Sequence, residues 1–145
     1  MPLAVRNRTL LRFLWWGHRT WFRASGGRIG SRVANLPVLE LATTGRKTGE
    51  RRAVLLNYVP HERGFVVVGS NAGAERPPAW WLNLRAHPRA EVRIGRERTN
   101  VGAEVLEGEE RRGLWSRFVV ANPSYAAYER ATSRTIPVVL LAREV

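Results

Sequence analysis

Two stretches of this chain are written as strand, turn, strand, and together they leave few folds open. The runs Arg51 to Val59 and Phe65 to Ser70 are rich in Val, Leu, Tyr and Phe and are joined by "PHERG", where Gly64 can take the positive φ that closes a longer hairpin loop. "EVRIG" and "TNVGAEVLE" repeat the pattern around Gly95, Arg96 and Glu97. Hairpins fix antiparallel pairing, because a loop this short cannot carry the chain back to start a parallel strand. Two further β-type runs, "PVLELAT" from Pro37 to Thr43 and "IPVVLLARE" near the C-terminus, bring the expected strands to six. Helical patterns fall between them. "PPAWWLNLRAHP" starts at Pro78 and stops at Pro88, and "GEERRGLWSRFVVANP" carries Glu109 and Glu110 at its positive end. In "PSYAAYERATSR", a turn or short helix, Tyr125 and Tyr128 stand three apart and so on one side. The expected class is α+β, mainly antiparallel: a six-stranded small β-barrel with flanking helices.

Ahead of the barrel, "RNRTLLRFLWWGHRTWFRAS" reads as a helix at about 100° per residue. Arg8, Arg12, Arg19 and Arg23 share one face, with Leu10, Leu11, Leu14, Trp15, Trp21 and Phe22 opposite. Such a basic amphipathic helix packs on protein or lies on an anionic membrane surface. The glycine-rich "GGRIGSRVANLP" follows, so residues 1–35 are expected to be helix and linker, and 36–145 the barrel domain.

The residues that are missing narrow the chemistry. No cysteine and no aspartate occur among the 145 residues, and His18, His61 and His87 are scattered. Thiolate chemistry, disulfides, an Asp-dependent triad and a zinc site are therefore not expected, and no metal is assigned. No run approaches the roughly 20 apolar residues of a membrane span. The protein is read as cytoplasmic, with a peripheral position on the inner face of the cell membrane as the alternative that the basic helix suggests. A net charge of +12 attracts nucleic acid, anionic lipid or an acidic small molecule. The arginines are spread over every element rather than along one groove, which disfavours nucleic acid.

Two stretches could carry a ligand. "TTGRKTGERR", Thr43 to Arg52, holds Lys47, the one lysine of the chain. It fails as a P-loop, because Arg46 precedes the lysine where glycine is required and a strand follows. A glycine-flanked turn can still point N–H groups at an anion beside Arg46, Lys47 and Arg52, or it can be a solvated basic turn. "GSNAGAERPPAWWLNL" ends a strand at Gly69 and Ser70 and opens a helix with Trp80, Trp81 and Asn83. The helix start favours an anion or a polar ring edge, while the tryptophans could equally be core. Ser70 lacks the surroundings of a nucleophile.

The order "LELATTGRKTGERR", "VVVGSNAGAERPPAWWLNLRAHPRAEVRIG", "EERRGLW", "NPSYAAYERATSRTIPVVLL" resembles the deazaflavin-dependent nitroreductase family. The likeness runs from Leu36 to the C-terminus. It implies a split β-barrel (FMN-binding split-barrel-like) and a site for coenzyme F-420, an 8-hydroxy-5-deazaflavin with a phosphate and a polyglutamate tail. By the resemblance, Arg46, Lys47 and Thr48 form the first cofactor-binding segment, and Arg52, Ala53, Val54, Leu55, Leu56 and Asn57 the second. Val68, Gly69, Ser70 and Asn71 form the third, and Ala79, Trp80, Trp81, Leu82 and Asn83 match the W-x-x-N-L helix. Tyr125 and Tyr128 fall on the substrate side of the ring. The implied activity is hydride transfer from the reduced coenzyme to a small electron-poor acceptor: a quinone, an activated alkene or a nitroaromatic. Alternatives are FMN or another cofactor in the same fold, or a non-catalytic ligand binder, and a homo-oligomer is an open expectation. The chain departs from the family pattern at Ser70, Asn71, Ala72, Gly73, which lacks the lysine of S-K-G-G, at Asn122, where a third tyrosine is common, and at Asn57, often aromatic.

Overall fold

The computed structural model of the chain describes residues 32–33 and 35–144. The expected basic helix and most of its linker lie outside the described residues. Eight strands occur among the described residues: β1 (Arg32–Val33), β2 (Leu36–Thr44), β3 (Arg51–Asn57), β4 (Val59–His61), β5 (Gly64–Val68), β6 (Arg89–Ile94), β7 (Glu97–Val105) and β8 (Val138–Arg143). Three α-helices accompany them: α1 (Ala79–Ala86), α2 (Gly108–Ala121) and α3 (Ser124–Ala131). All strand pairs are antiparallel.

The pairing order explains why the sheet curls. Hydrogen bonds run β3–β2–β6–β7–β8–β5–β4, so β3 and β4 are the two ends of the order. Yet only Tyr58 separates them in the chain. Two ends joined by one residue can be satisfied only if the sheet wraps round on itself, which makes a barrel split between β3 and β4. The single strand expected from Arg51 to Val59 is therefore two strands meeting at a corner, where the Tyr58 N–H still donates to the Pro37 carbonyl of β2 at 3.0 Å before the chain turns to pair with β5. Together with the two-residue β1, this division accounts for eight strands in place of six.

Both hairpin turns are tight. Ile94 pairs with Glu97 across Gly95 and Arg96, with Gly95 at φ 60° in the first central position that only glycine fills easily. His61 pairs with Gly64, leaving Glu62 and Arg63 alone in the turn. The longer "PHERG" loop is thus corrected: His61 and Gly64 belong to the ladder. Gly64 is required for a different reason, since a Cβ there would lie 2.0 Å from the Leu141 carbonyl oxygen of β8.

Strands β5 and β8 bury both faces, as their unbroken apolar runs "GFVVV" and "VVLLA" demand. Phe65, Val67, Val139 and Leu141 join Leu39, Leu41, Val92, Val101, Trp80 and Leu84 inside the barrel. Val66, Val68, Val138 and Leu140 turn the other way, to Leu114, Trp115 and Phe118 of α2 and Tyr125 of α3. Helix α1 therefore belongs to the barrel interior, while α2 and α3 cover its outer face.

Candidate functional site

The basic turn is anchored from below by one buried amide. Between β2 and β3 the chain closes on itself, with the Gly45 N–H donating to Glu50 O at 2.7 Å and the Gly49 N–H to Gly45 O at 2.8 Å. Gly49 sits at φ 74°, which glycine adopts without strain. From α1, Asn83 reaches this turn with a side chain only 3% exposed. Its Oδ1 accepts from the Arg46 backbone N–H at 3.1 Å and from Arg46 Nη1 at 3.2 Å, and its Nδ2 donates to Thr43 Oγ1 at 3.1 Å. Those bonds use both acceptor positions of the Asn83 carbonyl and one of its two N–H donors. They hold Arg46 in place at the base of the turn.

At the tip, Lys47 and Thr48 are exposed. Their backbone N–H groups donate to no acceptor among the described residues, and the Lys47 ammonium has no carboxylate partner among them. Arg52 makes one surface ion pair, to Glu50 at 3.1 Å, which is worth little in water and is readily exchanged for another anion. Two free N–H groups beside three cations suit a phosphate or carboxylate.

The loop after β5 is built differently. Asn71, Ala72 and Gly73 form a 3-10 turn, all with positive φ, at 46°, 53° and 80°. For the two non-glycine residues this costs about 1–2 kcal/mol each, so surrounding contacts must impose it. Those contacts come from the segment after α3. Arg134 donates to three loop carbonyls: Nε to Ala74 O at 2.9 Å, Nη1 to Gly69 O at 3.0 Å and Nη2 to Ser70 O at 2.9 Å. In return Glu75 accepts from the Ser133 N–H and Oγ, both at 2.6 Å. Hydrogen bonds from Ser133 and Thr132 hold the Glu75 carboxyl down to about 2, so it is ionised at neutral pH. Gly73 allows the loop to touch α3: a Cβ there would lie 3.0 Å from both Tyr128 Cα and Tyr128 O. Neither Arg134 nor Glu75 was singled out by the sequence. Their partners, backbone carbonyls for Arg134 and the N–H and hydroxyl of Ser133 for Glu75, lie about 60 positions away in the chain, a relation that leaves no motif.

Several of the stretches singled out in the sequence thus lie against one another. Asn83 ties the basic turn to α1; Pro78, at the start of α1, lies 3.6 Å from a Cβ built on Gly69; Gly73 rests on Tyr128 of α3. Within that arrangement the side chains divide. On β3, alternation puts Arg52, Val54 and Leu56 on one face and Ala53, Leu55 and Asn57 on the other. Leu55 is fully buried beside Val38, so only its backbone could meet a ligand. Trp80 is buried in the barrel, whereas Trp81, edge-on to it at 6.4 Å, is half-buried, as is Leu82, and Ala79 is exposed. Val68 and Ser70 are buried and Asn71 is half-buried, its amide donating to Arg76 O at 2.9 Å.

The two tyrosines also differ. Tyr125 is packed edge-on against Trp115, Phe118 and Tyr128, and burial pushes its phenol well above its ordinary range. It stays protonated and cannot act as a phenolate base near neutrality. Tyr128 is half-buried and is the more accessible of the pair. Asn122, where a third tyrosine is common in the resembling family, caps α3 by accepting the Ser124 N–H at 3.1 Å. Clefts of about 580 and 440 Å³ open elsewhere, the first between β2, β4 and α2 and the second over β2 and β6. Neither is lined by Lys47, Ser70, Trp81 or Tyr128; the second borders the basic turn at Thr43, Thr44, Gly49 and Arg51. No group of residues suited to hold a metal ion occurs among the described residues.

The donor set fits a deazaflavin with an anionic tail: cations and free N–H groups at one end, a loop of backbone polar groups and the aromatic side chains Trp81 and Tyr128 at the other. Comparison with known proteins shows the family. The model of the F420H(2)-dependent quinone reductase family matches residues 16–143. An F420H(2)-dependent quinone reductase of Mycobacterium tuberculosis is 36% identical over 130 residues, covering 87% of each chain. A solved F420-H2 dependent reductase is 37% identical, with a TM-score of 0.65 over 72% of this chain and 93% of that one. Another solved structure, described as a domain-swapped dimer, is 35% identical, with a TM-score of 0.67 over 87% and 96% of the two chains.

Proposed function

The chain belongs to the F420H(2)-dependent quinone reductase family, and we propose that the basic turn, β3, the Gly69 loop and the start of α1 together hold coenzyme F-420 for reduction of a quinone. The observation that supports this reading best is the buried Asn83 of α1, which binds both the backbone N–H and the guanidinium of Arg46 and so ties the basic turn to the helix that the resemblance assigns to the same coenzyme.

When bound, the reduced coenzyme supplies a hydride from C5 of its ring. The protein supplies attraction, orientation and shelter from water. Lys47, Arg52 and the Lys47 and Thr48 N–H groups take the phosphate and tail, with Arg46 held in line by Asn83. Backbone groups of Val68 to Asn71 meet the polar edge of the ring, and Trp81 covers apolar surface beside it. Tyr128 lies against the acceptor, where its hydroxyl can hydrogen-bond a quinone oxygen. Reduction to the hydroquinone also consumes a proton, which water or the Tyr128 hydroxyl delivers to that oxygen. Tyr125, kept neutral by burial, shapes this wall without titrating. Nitroaromatics and activated alkenes remain acceptors to be assayed. The basic segment with Arg8, Arg12, Arg19 and Arg23 supports a position beside an anionic membrane, where lipid quinones reside. Removing the residues before Gly26 should then weaken binding to anionic vesicles and leave coenzyme affinity intact; equal vesicle binding by both forms would contradict it.

Fluorescence titration of the purified protein with oxidised coenzyme F-420, in parallel with FMN, tests the cofactor assignment. Saturable binding of the deazaflavin that weakens with added salt is expected. Bound FMN with no affinity for the deazaflavin would overturn it.

A further inference from the structure

The Gly69 loop carries a feature that the cofactor assignment does not require: its carbonyls are gathered onto a single guanidinium from elsewhere in the chain. Arg134 Nη1 and Nη2 bind Gly69 O and Ser70 O at 3.0 and 2.9 Å, and Nε binds Ala74 O at 2.9 Å. No cis peptide occurs in the described residues. In a trans peptide the C=O of one residue and the N–H of the next point in opposite directions. Drawing the Gly69 and Ser70 carbonyls onto Arg134 therefore turns the N–H groups of Ser70 and Asn71 away from it. Those two N–H groups donate to no acceptor among the described residues, although Ser70 is only 8% exposed. They leave the loop as an aimed, unused donor pair.

We propose that Arg134 is a positioning residue, whose guanidinium aims the Ser70 and Asn71 N–H groups at an oxygen of the bound deazaflavin. The proposal rests on the coenzyme assignment above and adds to it a residue that makes no contact with the ligand. Lysine cannot replace this arginine, because one ammonium cannot reach three carbonyls in a planar fork. The Glu75 bonds to Ser133, at 2.6 Å each, tie the Arg134 segment to the loop from the other side and keep the guanidinium from swinging out. A comparison is built into the molecule. Arg111 of α2 also caps a backbone carbonyl, Ile136 O at 2.7 Å, but touches no part of the loop.

The test uses the full chain as Arg134→Lys, Arg134→Ala and Arg111→Ala, each checked for cooperative unfolding. Amide hydrogen exchange without ligand is expected to rise at residues 69–76 in both Arg134 variants and to stay at the wild-type rate there in Arg111→Ala. Coenzyme F-420 affinity, read by fluorescence titration, should fall about tenfold in both Arg134 variants, the loss expected of about 1.4 kcal/mol in charged hydrogen bonding. Low millimolar guanidinium should restore part of that affinity to Arg134→Ala and do nothing for Arg111→Ala. A loop whose exchange is unchanged in the Arg134 variants overturns the proposal and leaves the coenzyme assignment standing. Affinity losses that merely follow lost stability, equal in Arg111→Ala and beyond rescue, overturn it too. If wild-type protein does not bind the deazaflavin, the assignment and this proposal both fall.

Discussion

The two loops that flank the proposed coenzyme site solve opposite problems. The turn from Gly45 to Glu50 is open, cationic and tethered at one point, the buried Asn83 amide. The loop from Gly69 to Arg76 is locked, with three consecutive residues at positive φ, an arginine on its carbonyls and a carboxylate gripping the Arg134 segment. Charge attracts at long range and tolerates movement, so an exposed, solvated turn is sufficient for a flexible anionic tail. A ring that must present one carbon to an acceptor needs fixed donors, and fixing them takes backbone strain and the contacts that impose it. On the proposed function, the first loop supplies attraction and the second geometry.

The largest expected effect strikes the single tether. Asn83→Ala leaves Thr43 and the Arg46 backbone N–H without their buried partner and should cost about 2–3 kcal/mol of stability in denaturant unfolding, with a clear loss of coenzyme affinity. Asn83→Asp keeps the acceptor for Arg46 and should lose less. If alanine changes neither stability nor affinity, the turn is not anchored as described. On the other side, Gly73→Ala combines a left-handed backbone with a Cβ 3.0 Å from Tyr128. A loss of about 1–2 kcal/mol is expected, together with weaker coenzyme binding. A variant that unfolds earlier yet binds normally would break the link between loop geometry and the ring.

Legibility followed the same division. Strand patterns, glycine turns and the proline-bounded α1 are local properties, so Lys47, Gly69, Trp81 and Asn83 could be singled out from the sequence. The resemblance places Asn83 in the coenzyme site, but the bonds of its amide to Arg46 and Thr43 were not legible, because which atoms a buried side chain satisfies depends on a turn 37 positions away. The corner at Tyr58 was hidden inside an apolar run that reads as one strand, and only the closure of the barrel divides it. Arg134 and Glu75 were invisible for a stronger reason: Arg134 is bound to distant backbone carbonyls and Glu75 to a serine 58 positions away, and neither relation leaves a pattern in residue spacing. Charge is written in composition, and the locking of a loop is not.

Smaller effects sharpen the contrast. Lys47→Ala should weaken coenzyme binding a few-fold at low salt and less at high salt, with stability unchanged within about 0.5 kcal/mol. A salt-independent loss would mean that Lys47 acts through geometry after all. The smallest expected effect is that of pH on the locked loop. Glu75 is lowered from its ordinary 4.5 to about 2 by bonds from Ser133 and Thr132, so its contribution is complete above about pH 4.5 and is lost as pH falls toward 2. Because the carboxylate is solvent-exposed, the fall should be shallow, and hydrogen exchange at residues 69–76 should not respond to Glu75 between about pH 5 and 8. Loosening of the loop in that range would require another titrating group.

The central claim, that this surface uses the reduced deazaflavin to reduce a quinone, is tested most directly by one turnover assay. Purified protein is mixed with reduced coenzyme F-420 and menadione, and the visible absorbance of the oxidised coenzyme is followed. The account predicts protein-dependent reoxidation that saturates in coenzyme and is slowed in Asn83→Ala. Reoxidation no faster than without protein, from a sample that binds the coenzyme and is offered several quinones, would contradict it.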